Sequence, residues 1–119
     1  MIHAELLAAI LDSLKEPILF ADTAHVTRYM NRAAVACYEA GDCLIGRSLL
    51  DCHNERSQAM MIDILAAMQK EGLEEQLITD NEKQRIFMRA VRDAQGRVLG
   101  YYERYEPPRV RPESLENNG

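Results

Sequence analysis

"EPILFADTAHVTRYMNRAA", residues 16 to 34, decides how the rest of the chain folds. Pro17 ends any helix before it and pushes Glu16 toward an extended shape. Ile18-Leu19-Phe20-Ala21 then reads as a short buried strand. Asp22-Thr23-Ala24-His25 is a turn, and Val26 to Met30 alternates loosely as a second strand, so residues 17 to 30 predict a hairpin. Asn31 breaks the strand and offers a side-chain oxygen to cap the next helix. Arg32 to Glu39 is alanine-rich and predicts a short helix stopped by Gly41.

Upstream, Leu6, Leu7, Ile10, Leu11 and Leu14 recur at helical spacing, with Glu5 and Asp12 off the stripe. Downstream, Ser48 can cap a single turn running to about Cys52, and Asn54 or Ser57 caps the longest helix, residues 55 to 71. The apolar stripe of that helix is Met60, Met61, Ile64, Leu65 and Met68, and Gly72 is the left-handed residue expected after its end. Three strands come next, Glu75 to Thr79, Gln84 to Arg92 and Arg97 to Tyr105, with turns at Asp80-Asn81-Glu82 and Asp93 to Gly96. Five antiparallel strands with helices packed on one face make an α+β domain. Residues 107 to 119 hold three of the 4 prolines and few apolar groups, and read as a disordered tail or linker.

The 119 residues fit one domain, and 47% apolar with 28% charged residues is a globular composition. Fourteen basic against nineteen acidic residues leave a net charge of -5, which repels a phosphate backbone and argues against direct nucleic-acid binding. No apolar run approaches the roughly 20 residues that span a bilayer, so no membrane segment is expected. The N-terminus lacks a positive leader and carries Glu5 and Asp12, so a cytoplasmic location is expected. Three cysteines, Cys37, Cys43 and Cys52, are an odd count for a disulfide framework. The sequence has no glycine-rich phosphate loop, no H-E-x-x-H and no G-x-S-x-G.

Three pieces in order resemble the PAS domain, a sensory-box family. "EPILFADTAHVTRYMNRAA" is similar to its opening, a strand pair ending at an asparagine, here Asn31, followed two residues later by Ala33. "LIGRSLLDCHN" (44 to 54) resembles its middle signature of a glycine, a polar residue, a short apolar turn and an aspartate. "MRAVRDAQGRVLGYYERYE" (88 to 106) resembles its closing hairpin. The resemblance implies a PAS-like fold over residues 16 to 106, a five-stranded antiparallel sheet with helices on one face and an N-terminal flanking helix at 1 to 15. It also implies a sensory, signal-transducing module that binds a small ligand or a partner and is not an enzyme. The family often ends in Asp-Ile-Thr before an effector helix; here Glu103 to Pro108 stands instead, and two prolines stop a continuous helix.

With that geometry the ligand pocket lies between the long helix and the sheet, walled by Met61, Ile64, Leu65, Met68, Met88 and Tyr101. A methionine stripe is ordinarily core, yet methionine tolerates irregular fillings and suits an adaptable small ligand. Tyr101 and Tyr102 point to opposite faces of the last strand. Leu7, Ile10, Leu11 and Leu14 fit a two-heptad seam, too short for a coiled coil alone, and the resemblance makes it a homodimer contact. An effector domain or protein is a further partner. No obligatory cofactor is implied and no metal site is expected, since Cys43, Cys52 and His53 lack a paired ligand spacing.

Asp51-Cys52-His53 leaves other readings open. Adjacent helical residues point about 100° apart, so Cys52 and His53 make a poor nucleophile pair. The plain reading has Asp51 and Asn54 satisfying backbone groups and Cys52 packing as a small apolar residue. One alternative is a heme-binding PAS sensor using His53 as ligand. A second is a small enzyme with Cys52 as nucleophile. His3 and His25 sit at a terminus and a turn tip, without a ligand partner nearby in sequence.

Overall fold

A computed structural model describes residues 3–38 and 41–109. The elements are α1 (Ala4–Asp12), β1 (Leu19–Asp22), β2 (Thr27–Met30), α2 (Arg32–Cys37), α3 (Glu55–Glu71), β3 (Glu75–Asp80), β4 (Arg85–Arg92) and β5 (Val98–Glu106). Two 3-10 turns, Gly41–Leu44 and Leu49–Cys52, join α2 to α3. The strands form one antiparallel sheet in the order β2-β1-β5-β4-β3, which is the expected α+β architecture. The end of the expected helix at Glu39 and most of the expected tail, from Val110 on, lie outside the described residues.

Asn31 ends β2 and begins α2. It is fully buried. Its side-chain oxygen accepts the Ile18 and Ala34 amides, both at 2.9 Å. Its side-chain nitrogen donates to the carbonyls of Leu11 at 2.9 Å and Glu16 at 3.0 Å. One amide therefore ties the end of α1, the entry to β1 and the first turn of α2. An amide carries two donors and two acceptor lone pairs, so every side-chain position of Asn31 is used.

The long helix starts where Asn54 caps it, its side-chain oxygen accepting the Ser57 amide at 2.9 Å, and ends at Gly72 with φ of 76°. Arg92 from β4 covers the end of α3. Its guanidinium donates to the Met68 carbonyl at 2.9 Å and pairs with Glu74 at 2.6 Å. A cation there complements the carbonyl end of the helix dipole.

α3 lays Met61, Ile64, Leu65 and Met68 on the sheet, where Leu19, Ala21, Met30, Met88 and Tyr101 complete one core. Met60, expected as part of the stripe, is turned to solvent instead. It lies one residue short of the i, i+4, i+7 line of Met61, Leu65 and Met68, and the sheet takes only that narrower face. On the sheet's other face, the flanking helix α1 lies beside Tyr29, whose hydroxyl is 3.4 Å from the Ala8 carbonyl, and its Leu11 lines a groove with Phe20 and Tyr102. The flanking helix thus stands across the sheet from α3. A helix rich in exposed leucine reads the same from sequence whichever face it joins.

β1 and β5 meet closely at Gly100, where an added Cβ would stand 2.1 Å from the Ala21 carbonyl oxygen and 2.8 Å from the Phe20 ring. Backbone cannot yield that much, so Gly100→Ala should cost about 2–4 kcal/mol in urea unfolding. A loss under about 0.5 kcal/mol, the scale of an ordinary surface change, would mean the central strand pair is looser than described.

Candidate functional site

Residues 101, 103 and 105 of β5 turn toward the α3 side, and 102 and 104 toward the opposite face, as a pleated strand requires. Register places Leu19 and Met88 beside Glu103, and Ala21 and Ala90 beside Tyr101. The six residues expected as pocket wall, Met61, Ile64, Leu65, Met68, Met88 and Tyr101, come together here as buried members of one core. Four of them lie on two turns of α3's inner face. Three are methionines, the side chain best able to rearrange around a guest.

This interior is more polar than its sequence suggests. The His25 Nδ1 and the Tyr101 hydroxyl are 2.7 Å apart and buried. His25 has a φ of 63°, which bends the β1–β2 turn inward and carries the ring off the tip onto β5. Its carbonyl accepts the Leu49 amide at 2.7 Å, and the Thr27 carbonyl accepts the Gly46 amide at 2.7 Å. Residues 46–49 are thus stitched along β2, a pairing with no strand-like signal in sequence. Burial holds the His25 imidazole below its ordinary range, despite the pull of Asp22.

A second cluster sits one step along β5. The Tyr38 hydroxyl donates to Glu103 Oε2 at 3.0 Å and lies 2.5 Å from the Tyr105 hydroxyl. Glu103 is 3% exposed, and its Oε1 has no partner among the described residues. Burial pushes its carboxyl well above the usual range, and the two tyrosine hydroxyls only partly offset that. Burial and the nearby carboxyl push both tyrosines up as well, so they act as donors rather than phenolates. Sequence reasoning missed Glu103, Tyr38 and His25. The only signal was alternation, which puts 103 and 105 on the same face as Tyr101.

Cys52 and His53 form no reactive pair. Cys52 is exposed, not packed as expected, because it ends a 3-10 turn whose inner positions go to Leu49 and Leu50. Partial burial, then the Asp51 carboxylate, push its thiol up, which disfavours the thiolate a nucleophile needs. His53 follows the turn in extended conformation, and its carbonyl accepts Gln58 Nε2 at 2.9 Å. Its ring is half-buried, and burial lowers its pKa. No group of three or more potential metal ligands occurs among the described residues.

The opposite face carries a groove of about 540 Å3, lined by Leu11, Leu14, Ile18, Phe20, Tyr102 and neighbours. Beside it, Leu6, Leu7, Ile10 and Leu14 of the α1 region are 39–50% exposed. Of the expected seam, Leu11 and Leu14 line the groove, and Leu11 is the more covered of the two. Farther along the same face, Arg104 holds both oxygens of Glu75 at 3.0 and 3.1 Å and lies 4.4 Å from the Phe87 ring centre. That half of the face is covered by its own charges; the half next to α1 is bare and apolar. No helix among the described residues is long and apolar enough to cross a membrane.

A model of the family described as PAS domain matches residues 7–106. No curated protein matches the chain in sequence. Among solved structures, a C-terminal domain from Streptococcus mutans superposes with a TM-score of 0.73 at 18% identity, covering 89% of this chain and 85% of that one. A sensory box sensor histidine kinase from Vibrio cholerae gives 0.59 at 11% identity over 90% and 92%. The Aer2 receptor of Vibrio cholerae, a dual PAS-heme oxygen sensor, gives 0.54 at 14% identity over 77% and 93%.

The pKa directions have opposite signs for stability. A lowered histidine contributes stability that is present above its ordinary 6.5 and lost as pH falls through the folded value. A raised glutamate contributes stability that is present below its ordinary 4.5 and lost as pH rises. Glu103→Gln keeps the shape and removes the second effect. The stability of the wild type relative to this variant should fall as pH climbs above 4.5 in urea titrations at a series of pH values. A difference that stays flat with pH would contradict the raised carboxyl.

Proposed function

The chain belongs to the PAS-domain family, and from that premise we propose that it is a sensory domain whose α3–sheet interior takes a small ligand and whose α1 relays the change across a homodimer. The family is typically sensory and signal-transducing. The observation that carries the relay is Asn31, which bonds Ile18 at the head of β1 and Leu11 in α1 through one side chain. A shift of β1 or β2 driven from the core is thereby passed to α1. What supports the homodimer is the bare half of the outer face: the groove and the Leu7, Ile10 and Leu14 stripe run together, and a second α1 offers the same apolar chemistry. On this reading residues 1–15 are the flanking dimerisation segment, with α1 (Ala4–Asp12) as its helix, and residues 16–106 the sensory domain, coupled to an effector domain or protein.

The ligand wall is Met61, Ile64, Leu65, Met68, Met88 and Tyr101. A heme-binding variant of the same reading uses His53, whose half-buried imidazole is held neutral by burial, the form that ligates iron. Adding hemin to purified protein tests it: an intense visible band lost in His53→Ala supports it, and an unchanged spectrum ends it. Catalysis by Cys52 has no support in the charges around its thiol.

Native mass spectrometry tests the relay surface. Wild-type protein should appear as a dimer, and Ile10→Glu as a monomer that still unfolds in one cooperative urea transition, because Ile10 is half-exposed and adds little to the domain's own core. A charge buried in such an apolar contact costs several kcal/mol, enough to weaken the dimer at least about a hundredfold. A monomeric wild type, or a variant that stays dimeric, would contradict the proposal.

A further inference from the structure

We propose that Glu103 is the polar anchor of the interior site, a neutral carboxylic acid whose Oε1 donates a hydrogen bond to the carbonyl or ring-nitrogen acceptor of an uncharged small molecule. The proposal rests on the reading that this interior admits a ligand.

Proton accounting supplies the argument. The short contact between Tyr105 and Tyr38 is satisfied when the Tyr105 hydroxyl donates to Tyr38. Tyr38 then donates to Glu103 Oε2. Both phenolic protons are used, and Oε2 is an acceptor. Among the described residues Glu103 has no basic partner, and its register neighbours are Leu19 and Met88. A carboxylate there would be an uncompensated charge in a core, which costs far more than a neutral acid. The acid therefore keeps its proton, and Oε1 carries it, because Oε2 already receives one. The result is a buried O–H donor, 3% exposed at the residue level, with no acceptor among the described residues.

Leaving such a group unpaired costs about 1–3 kcal/mol, so a ligand that supplies an acceptor recovers that amount. A cationic ligand would instead require the acid to ionise, and both charges to be buried, in a core that offers the carboxylate no other cation among the described residues. Other carboxylic acids held neutral by apolar surroundings serve as hydrogen-bond donors in protein sites. The methionine wall supplies shape tolerance, and Glu103 supplies the one directional contact.

Three probes of similar size separate the alternatives: acetophenone, which has an acceptor and no donor; ethylbenzene, which has neither; and benzamidine, which is a cation and a donor. Binding is read from the labelled methyl resonances of Met61, Met68 and Met88 among the 6 methionines. Acetophenone should bind about tenfold more tightly than ethylbenzene, and benzamidine more weakly than either. Glu103→Gln retains a donor and should keep that preference; Glu103→Leu should bind acetophenone and ethylbenzene equally. Equal binding of these two by the wild type would overturn the anchor while leaving the interior site standing. Preference for benzamidine, or loss of the acetophenone preference in Glu103→Gln, would also overturn it. Failure of every probe to move any of the three methyls would remove the interior site and the anchor together.

Discussion

The side-chain amide of Asn31 holds the molecule's two faces in register. β2 delivers it to the interior, and its four hydrogen bonds reach α1, the segment before β1, Ile18 and α2. None of these partners bonds in a regular ladder at that point. Without the amide, the Ile18 and Ala34 amides and the Glu16 carbonyl would each lose their partner, at about 1–3 kcal/mol apiece where water cannot replace it, and the Leu11 carbonyl would keep only the Leu14 amide. Aspartate cannot substitute, since it has no donors for the Leu11 and Glu16 carbonyls.

Around that node the sheet separates two environments. The α3 side is a methionine-rich core threaded by His25–Tyr101 and Tyr38–Tyr105–Glu103. The α1 side is an apolar groove bordered by an arginine–carboxylate network over Phe87. β5 serves both, with Tyr101, Glu103 and Tyr105 inward and Tyr102 and Arg104 outward. A change in the hydrogen bonding of Glu103 therefore acts on the same strand whose outer residue, Tyr102, lines the groove. That adjacency, together with Asn31, gives the proposed signal two short mechanical routes from core to outer face.

The regular elements were legible because their signals are local. Glu55–Glu71 runs between a capping asparagine and a left-handed glycine, and both punctuation marks are side-chain chemistry visible in sequence. The closing hairpin was legible through Asp93 and Gly96. Contact between distant segments escaped reading. His25 looked like a turn tip because nothing local reports a φ of 63° or a partner 76 residues away. Glu103 carries no burial signal of its own in sequence, and only register with Leu19 and Met88 buries it. The side of the sheet taken by α1 was illegible for the same reason, since an apolar stripe shows that a helix is covered or shared, not by what. The wall residues of the interior were legible as core, because helical spacing and strand alternation both point them inward.

The coupling of α1 to the sheet through Asn31 is tested most directly by native-state hydrogen exchange of Asn31→Ala, followed amide by amide. The account predicts that α1 and the first turn of α2 lose protection first and most, while β4 and β5 stay protected. A uniform loss across all strands, or an α1 that exchanges as it does in the wild type, would contradict it.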